Sequence, residues 1–301
     1  MQKEFTFYKN YREKEKLREA FFQFTPKALY GADFRLWYQL GFWENSYIPY
    51  SFFKDEIIVS NASVCEMKII LNGQEFDAVQ LATVGTLPEY QHQGLSRKLI
   101  EHILEDYKSK TSFFFLFGNE NVLDFYPKFG FRKIEESCFV CKNLNPFRRN
   151  KSSLNFQILN VNSEKDRILF RKITSSAKST TNRFGVIQYE FILSFYWIYV
   201  YPENFYYFPE NDSILVLHLD KKVLWIYDIL CRDSFSISKF LLDWNLEDIE
   251  EIRFGFCPDR FDLLNLEIKN DIITQTDSPL FVKGFQSALK STFLFPMLAR
   301  T

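Results

Sequence analysis

Val84-Gly85-Thr86-Leu87-Pro88-Glu89-Tyr90-Gln91-His92-Gln93-Gly94-Leu95-Ser96-Arg97-Lys98-Leu99 is the stretch on which the reading of this chain turns. An apolar run over residues 79–84 enters it as a strand. Apolar residues at helical spacing leave it: Leu95, Leu99, Ile100, Ile103, Leu104 and Tyr107. A turn and a polar loop holding Gly94 lie between. Strand, glycine loop and helix in that order leave unpaired main-chain N–H groups at the head of a helix. The helix dipole adds positive potential there, so the loop is built to attract an anion.

Outward from this point the elements alternate. Residues 5–8 read as a strand, 13–22 and 27–40 as helices, with Pro26 in the first turn of the second. Residues 48–53 and 56–60 are short strand-like runs joined at Lys54-Asp55. Residues 64–71 form another, ended by Asn72-Gly73, a strong turn dipeptide, and 76–84 feed the glycine loop. An amphipathic helix over 96–108 precedes a short apolar strand, 113–117. A short helix at 121–129 and two strands, 131–134 and 138–142, follow.

The loop from Gln91 to Ser96 reads Gln-x-x-Gly-x-Ser. It resembles the acyl-CoA pyrophosphate loop of the GCN5-related N-acetyltransferase (GNAT) superfamily, Gln/Arg-x-x-Gly-x-Gly/Ala, with Ser96 as a small substitute at the last position. The order β-α-α-β-β-β-α-β-α-β over residues 1–145 is similar to the GNAT order. Some 30 residues downstream, Phe125-Tyr126-Pro127-Lys128-Phe129-Gly130-Phe131 matches the closing GNAT pattern Phe/Leu-Tyr-x-Lys-x-Gly-Phe. The resemblance implies an α/β (α+β) fold with a mixed central sheet flanked by helices, acetyl-CoA as acyl donor, and transfer of its acetyl group to a primary amine by direct attack in a ternary complex.

The resemblance also assigns residues. Main-chain groups of Gln91, His92, Gln93, Gly94, Leu95, Ser96 and Arg97 would hold the pyrophosphate. A side chain at Gly94 would obstruct close backbone approach, and Arg97 and Lys98 would add charge. Val84, Gly85 and Thr86 would lie where two central parallel strands splay, bonding the pantetheine arm as an added strand and supplying an oxyanion donor. Tyr126 would protonate the departing thiolate: a phenol near about 10 donates to a thiol near about 8.5 with modest tuning. Asn121 either caps its helix or bonds the cofactor. No base stands out. Asp77, Glu44, Glu66 and Glu120 are carboxylates within possible reach, and similarity to tandem enzymes that use a terminal carboxylate adds Thr301.

Residues 146–155, with Arg148, Arg149 and Lys151, read as a solvated linker. The remainder, 156–301, repeats the theme: strands at 156–159, 214–219, 223–230, 251–256, 280–283 and 293–298, with helices at 164–177 and 236–244. Cys231 to Ile237 has no glycine. This half is expected to be a second GNAT-like α+β domain without an acyl-CoA loop, as in tandem arrangements such as Eis-type acetyltransferases. It would wall the acceptor cleft.

Composition narrows the alternatives. The 301 residues carry 37 Lys and Arg against 38 Asp and Glu, so no basic face for nucleic acid is expected. Five cysteines, an odd number with no secretory leader, fit reduced thiols in a cytoplasm. Cys138-x-x-Cys141 lacks a second ligand pair and reads as two strand residues. His92, His102 and His218 are scattered, so no metal is expected. No run reaches the ~18–20 apolar residues of a membrane span; residues 191–201 come nearest and read as a buried aromatic helix or strand. The 35 Phe and 16 Tyr hint at a flat or apolar acceptor, and equally at a compositional bias. The partner expected is a small-molecule or peptide amine. Two rival readings stay open: a non-catalytic acyl-CoA-binding or regulatory module, and a transferase of another acyl or aminoacyl group.

Overall fold

The computed structural model describes residues 5–29, 31–119, 122–148, 154–264, 266–273, 276–284, 289 and 292–301. Strand β1 (Thr6–Lys9) leads into helices α1 (Glu15–Ala28) and α2 (Arg35–Gln39). Pro26 does not open a second helix but lies inside the last turn of α1. One missing N–H costs that turn one bond, while buried Phe21, Phe22 and Phe24 anchor it and Leu29 still donates to Thr25. Strands β2 (Tyr47–Lys54), β3 (Ile57–Leu71) and β4 (Gln74–Thr86) then meander antiparallel. Asn72 and Gly73, at φ 50° and 79°, make the left-handed turn that matches strand twist. β3 is one strand where the sequence suggested two, because Asn61 and Ser63 keep pairing with β4.

Helix α3 (Leu95–Tyr107) buries its apolar stripe of Leu95, Leu99, Ile100, Ile103 and Tyr107. Strand β5 (Phe114–Phe117) returns parallel to β4, followed by β6 (Arg132–Ile134) and β7 (Ser137–Cys141). The expected helix over 121–129 is instead a tight 3-10 turn, Tyr126–Phe129, with Pro127 in its first turn and Gly130 closing it at φ 85°.

The second half runs β8 (Gln157–Ile158), α4 (Glu164–Ser176), β9 (Phe184–Ile187), α5 (Glu190–Tyr199), β10 (Phe205–Phe208), β11 (Ser213–Asp220), β12 (Val223–Leu230), α6 (Ile237–Asp243), β13 (Glu251–Phe254), β14 (Ile268–Ile272) and β15 (Leu280–Lys283). The aromatic run 191–201 is helix α5, with Phe191, Ile192, Leu193 and Trp197 buried. The strand expected at 293–298 does not form; Pro296 precedes a 3-10 turn, Met297–Ala299. Strands β9, β10 and β14 were not legible from alternation.

Two mixed sheets result. The first has the order β1-β2-β3-β4-β5-β15-β6, with β9 on β3; the second is β14-β7-β13-β12-β11-β10-β8. Each contains one parallel pair, β4 with β5 and β12 with β13. The expected α/β (α+β) class with two sheet-and-helix units is therefore what forms. The pairings cross the 146–155 segment. β7 lies between β13 and β14 of the second sheet, and β15 between β5 and β6 of the first. Residues 149–153 lie outside the described residues, but the start of that segment packs: Phe147 is buried and Arg148 donates to the Ile249 carbonyl at 2.8 Å. α3 covers one face of the first sheet. A ring-rich core with Phe21, Trp37, Phe115, Phe184, Trp197 and Phe295 fills the other and joins the two halves. Among the described residues no helix is long and apolar enough to cross a membrane.

Candidate functional site

Strands β4 and β5 part at a defined residue. Val79, Gln80 and Leu81 pair with Phe114, Phe115 and Leu116, and pairing stops there. The cause lies in β4, where Thr83 and Val84 together oppose Ala62, a β-bulge that bends the strand. Thr83 sits at φ 46°, costly for a β-branched residue, and persists because its surroundings over-determine it. Asn61 Nδ2 donates to the Thr83 carbonyl at 2.8 Å and to Ser63 Oγ at 3.0 Å. Asn61 Oδ1 accepts from Ser51 Oγ at 2.7 Å, and Ser51 Oγ shares a 2.6 Å hydrogen bond with the Tyr11 hydroxyl. Tyr47 shares a 2.7 Å bond with Thr83 Oγ1. The gap widens into a cavity of about 390 Å³, with Leu81–Val84 on one wall and Phe117, Gly118, Asn119, Val122 and Tyr126 on the other.

The end of β4 is tied to the start of α3. Thr86 Oγ1 shares hydrogen bonds with Ser96 Oγ at 2.7 Å and Ser60 Oγ at 2.8 Å, and Gln91 Nε2 donates to the Thr86 carbonyl at 3.3 Å. Gly85 lies where a Cβ would stand 3.2 Å from that of Ala28, so α1 approaches the strand closely. His92 and Gly94 take left-handed backbone, φ 61° and 73°. Leu95 is buried and anchors the helix, while Gln91, His92, Gln93, Gly94 and Arg97 are exposed. Lys98 is the first residue of α3 whose N–H finds a helical acceptor, Gly94 O at 3.1 Å. No protein acceptor takes the N–H groups of residues 92–97 among the described residues. A Cβ at Gly94 would meet nothing within 4 Å, so the loop faces open space. The Arg97 guanidinium stands 5.9 Å from the Phe129 ring centroid.

Tyr126 projects into the cavity from the 3-10 turn, 5% exposed, its ring held by Phe125, Phe131 and Phe281. No hydrogen bond from its hydroxyl to another described residue offsets its burial, which alone pushes the phenol well above its ordinary range. It is therefore a standing hydrogen-bond donor rather than a ready acid. Asn121 and Glu120 lie outside the described residues.

The base candidates Glu44, Glu66 and Asp77 line a neighbouring cavity of about 470 Å³ at the far end of β4. There Glu66 accepts the Tyr107 hydroxyl at 2.6 Å, and burial together with Glu190 raises the Glu44 carboxyl. Thr301 does line the gap; its N–H and hydroxyl both donate to Gln80 Oε1 at 3.0 Å. Gln80 Nε2 donates to the Ala299 carbonyl at 2.9 Å. Sequence reasoning passed over Gln80, although a glutamine inside Ala78-Val79-Gln80-Leu81-Ala82 is a signal that a buried strand carries a polar task. It also missed Arg300, which lies 4.5 Å over the Phe117 ring and donates to buried Glu136 at 3.0 Å.

The corresponding place in the second sheet is closed. Gly255, just after β13, donates to Ile226 at 2.9 Å, and its carbonyl accepts Met297 N–H at 2.8 Å. A Cβ there would meet the Tyr227 carbonyl at 2.8 Å. Ser236 caps α6, accepting Lys239 N–H, and also donates to Asp262.

Residues 13–134 match the family of acetyltransferase (GNAT) domains. Among proteins of curated function, none matches the sequence. Three solved structures share the fold. A conserved protein of unknown function from Enterococcus faecalis V583, described as a probable N-acyltransferase, is 14% identical with TM-score 0.61, covering 93% of this chain and 72% of that one. A GCN5-related N-acetyltransferase from Kribbella flavida is 12% identical with TM-score 0.58, over 92% and 71%. Eis1 from Mycobacterium abscessus is 13% identical with TM-score 0.55, over 92% and 72%. The bulged β4, its gap from β5 and the glycine-capped α3 thus lie within the stretch that matches the acetyltransferase (GNAT) domain family, and most of the chain shares its fold with those three structures.

Proposed function

We propose that this chain is an acyl-CoA-dependent N-acetyltransferase, moving an acetyl group from acetyl-CoA to a primary amine by direct attack in a ternary complex. The observation that carries this reading is the row of unpaired N–H groups at 92–97 beside the opened end of β4. The residues fit the donor: the loop faces open space, the helix start supplies six amide donors, and Tyr126 offers a free hydroxyl at the inner end of the cavity. Gln91, His92, Gln93, Gly94, Leu95, Ser96 and Arg97 would bind the pyrophosphate, the main chain of Val84, Gly85 and Thr86 would take the pantetheine arm as an added strand, and Asn121 would help hold it. Tyr126 would donate a hydrogen bond to the sulfur that strengthens as negative charge develops there, and the proton would cross only with C–S cleavage, the phenol then regaining one from the attacking amine. Residues 1–145 would act as the catalytic domain and 156–301 as the domain that walls the acceptor side; α5 reaches the cavity with Phe191, Ile192, Phe195 and Tyr196. Five free cysteines suit a reducing, cytoplasmic setting.

Initial rates with acetyl-CoA and an amine test this. Free thiol should form only when amine is present, with intersecting double-reciprocal lines; parallel lines would mean an acyl-enzyme and overturn direct attack. One observation favours the non-catalytic reading. No Asp or Glu side chain lines the gap among the described residues. Tight acetyl-CoA binding with no thiol release across a broad amine panel would decide for it.

A further inference from the structure

The cavity beyond the β4–β5 gap has an unusual lining for a site expected to take a basic amine. Phe34 and Trp37, buried between the gap and the second half, face Phe195 of α5; their ring centroids lie 5.7, 5.1 and 6.4 Å apart. The polar handles of the aromatic wall are turned away. Trp37 Nε1 donates to the Phe191 carbonyl at 2.8 Å and to Ser194 Oγ at 3.0 Å, and the Tyr47 hydroxyl is held by Thr83. What the wall offers inward is the ring surface of half-buried Phe195 and Tyr196, backed by the buried rings of Phe34 and Trp37. Arg300 is the one charged side chain among the described lining residues, and Glu136 already neutralises it.

Resting on the acetyltransfer reading, we propose that the acceptor is a monoamine with a one- or two-ring aromatic body. The body would seat against Phe34, Trp37 and Phe195, and the amine would point toward Tyr126. The size suits this. An apolar cavity of about 150 Å³ already holds benzene, and about 390 Å³ leaves room for the thioester end as well. Ring contacts reward an aromatic guest beyond the area they bury. A polyamine or a lysine in a charged peptide would instead bring further cations into an apolar chamber whose described lining residues include no Asp or Glu side chain.

The test is a panel at fixed acetyl-CoA: phenethylamine and tryptamine against spermidine and a lysine-containing peptide. The ring-bearing amines should exceed the polycations at least about tenfold in kcat/KM, the size of one to two aromatic contacts. Phe195→Ala should raise KM for phenethylamine about tenfold and move KM for acetyl-CoA less than about twofold. Indole, which needs no variant to fold, should inhibit competitively against phenethylamine and not against acetyl-CoA. Preference for spermidine overturns the assignment, as does octanoyl-CoA outrunning acetyl-CoA while indole competes with the acyl donor, because the ring wall would then house an acyl chain. Either result with acetyl-CoA bound in calorimetry leaves acyl transfer standing; absence of acetyl-CoA binding removes both.

Discussion

Tyr126 shows how much one residue's setting adds to its identity. Its place in the pattern Phe125 to Phe131 was legible in the sequence, and the role proposed for it beside a departing thiol follows from the resemblance that pattern carries. The sequence could not show that burial among Phe125, Phe131 and Phe281 makes the phenol a weaker acid while leaving its hydroxyl unpartnered. Desolvation disfavours the phenolate, so the group stays protonated and its strength lies in a directed hydrogen bond. Tyr126→Phe should lower kcat at least tenfold, and on the order of a hundredfold if full proton transfer occurs, with acetyl-CoA affinity within about twofold. Equal losses in kcat and affinity would make Tyr126 a binding residue only. Gln80 and Thr301 are the reverse case. Their pairing spans 221 positions, and no local pattern announces that the chain's last described residues lie along β4.

Among the elements, the strand pairs β4/β5 and β12/β13 begin alike and end differently. In the first sheet Phe117-Gly118 follows the last paired residue, Leu116, and in the second Gly255 follows the last paired residue, Phe254. In the first sheet the Thr83 bulge opens a cavity; in the second Gly255 and Met297 fill the place. The missing glycine before α6 hinted at this, whereas the filling itself depends on a distant segment. β12 also carries a buried titrating group. Asp228 is fully buried, and its carboxyl is raised to about 7 by desolvation, opposed by the Tyr189 hydroxyl at the start of α5 and by Ile229 N–H. A carboxyl raised in the folded state binds its proton more tightly there than in the unfolded chain. Its contribution to stability is therefore present below about pH 4 and is lost as pH climbs toward 7. Asp228→Asn removes that loss. The variant should gain on the wild type by roughly 1 kcal/mol per pH unit between pH 5 and 7 and level off above. Urea midpoints at pH 5, 6, 7 and 8 read this; parallel wild-type and variant curves would show that Asp228 is neutral or charged throughout.

At the scale of the whole molecule, the two sheets are completed by each other's strands. β15 fills the first sheet and β7 the second, so neither half closes its own sheet from contiguous chain. The composition of the elements in sequence order was readable, since hairpin turns such as Asn72-Gly73 and the stripe of α3 are local. The exchange was not, because the alternation of β7 and the apolar run of β15 would read the same in either sheet. This interlock brings α5 and residues 299–301 to the β4–β5 gap, and so builds one wall of the cavity from the second half. Everything assigned to that gap depends on residues 92–97 holding a diphosphate. Calorimetric titration of acetyl-CoA into the wild type and Gly94→Glu tests it most directly. The wild type should bind, and the variant, which places a carboxylate on strained left-handed backbone among the amide donors, should lose at least about a hundredfold in affinity. Equal affinity in the two proteins would contradict the assignment of that loop.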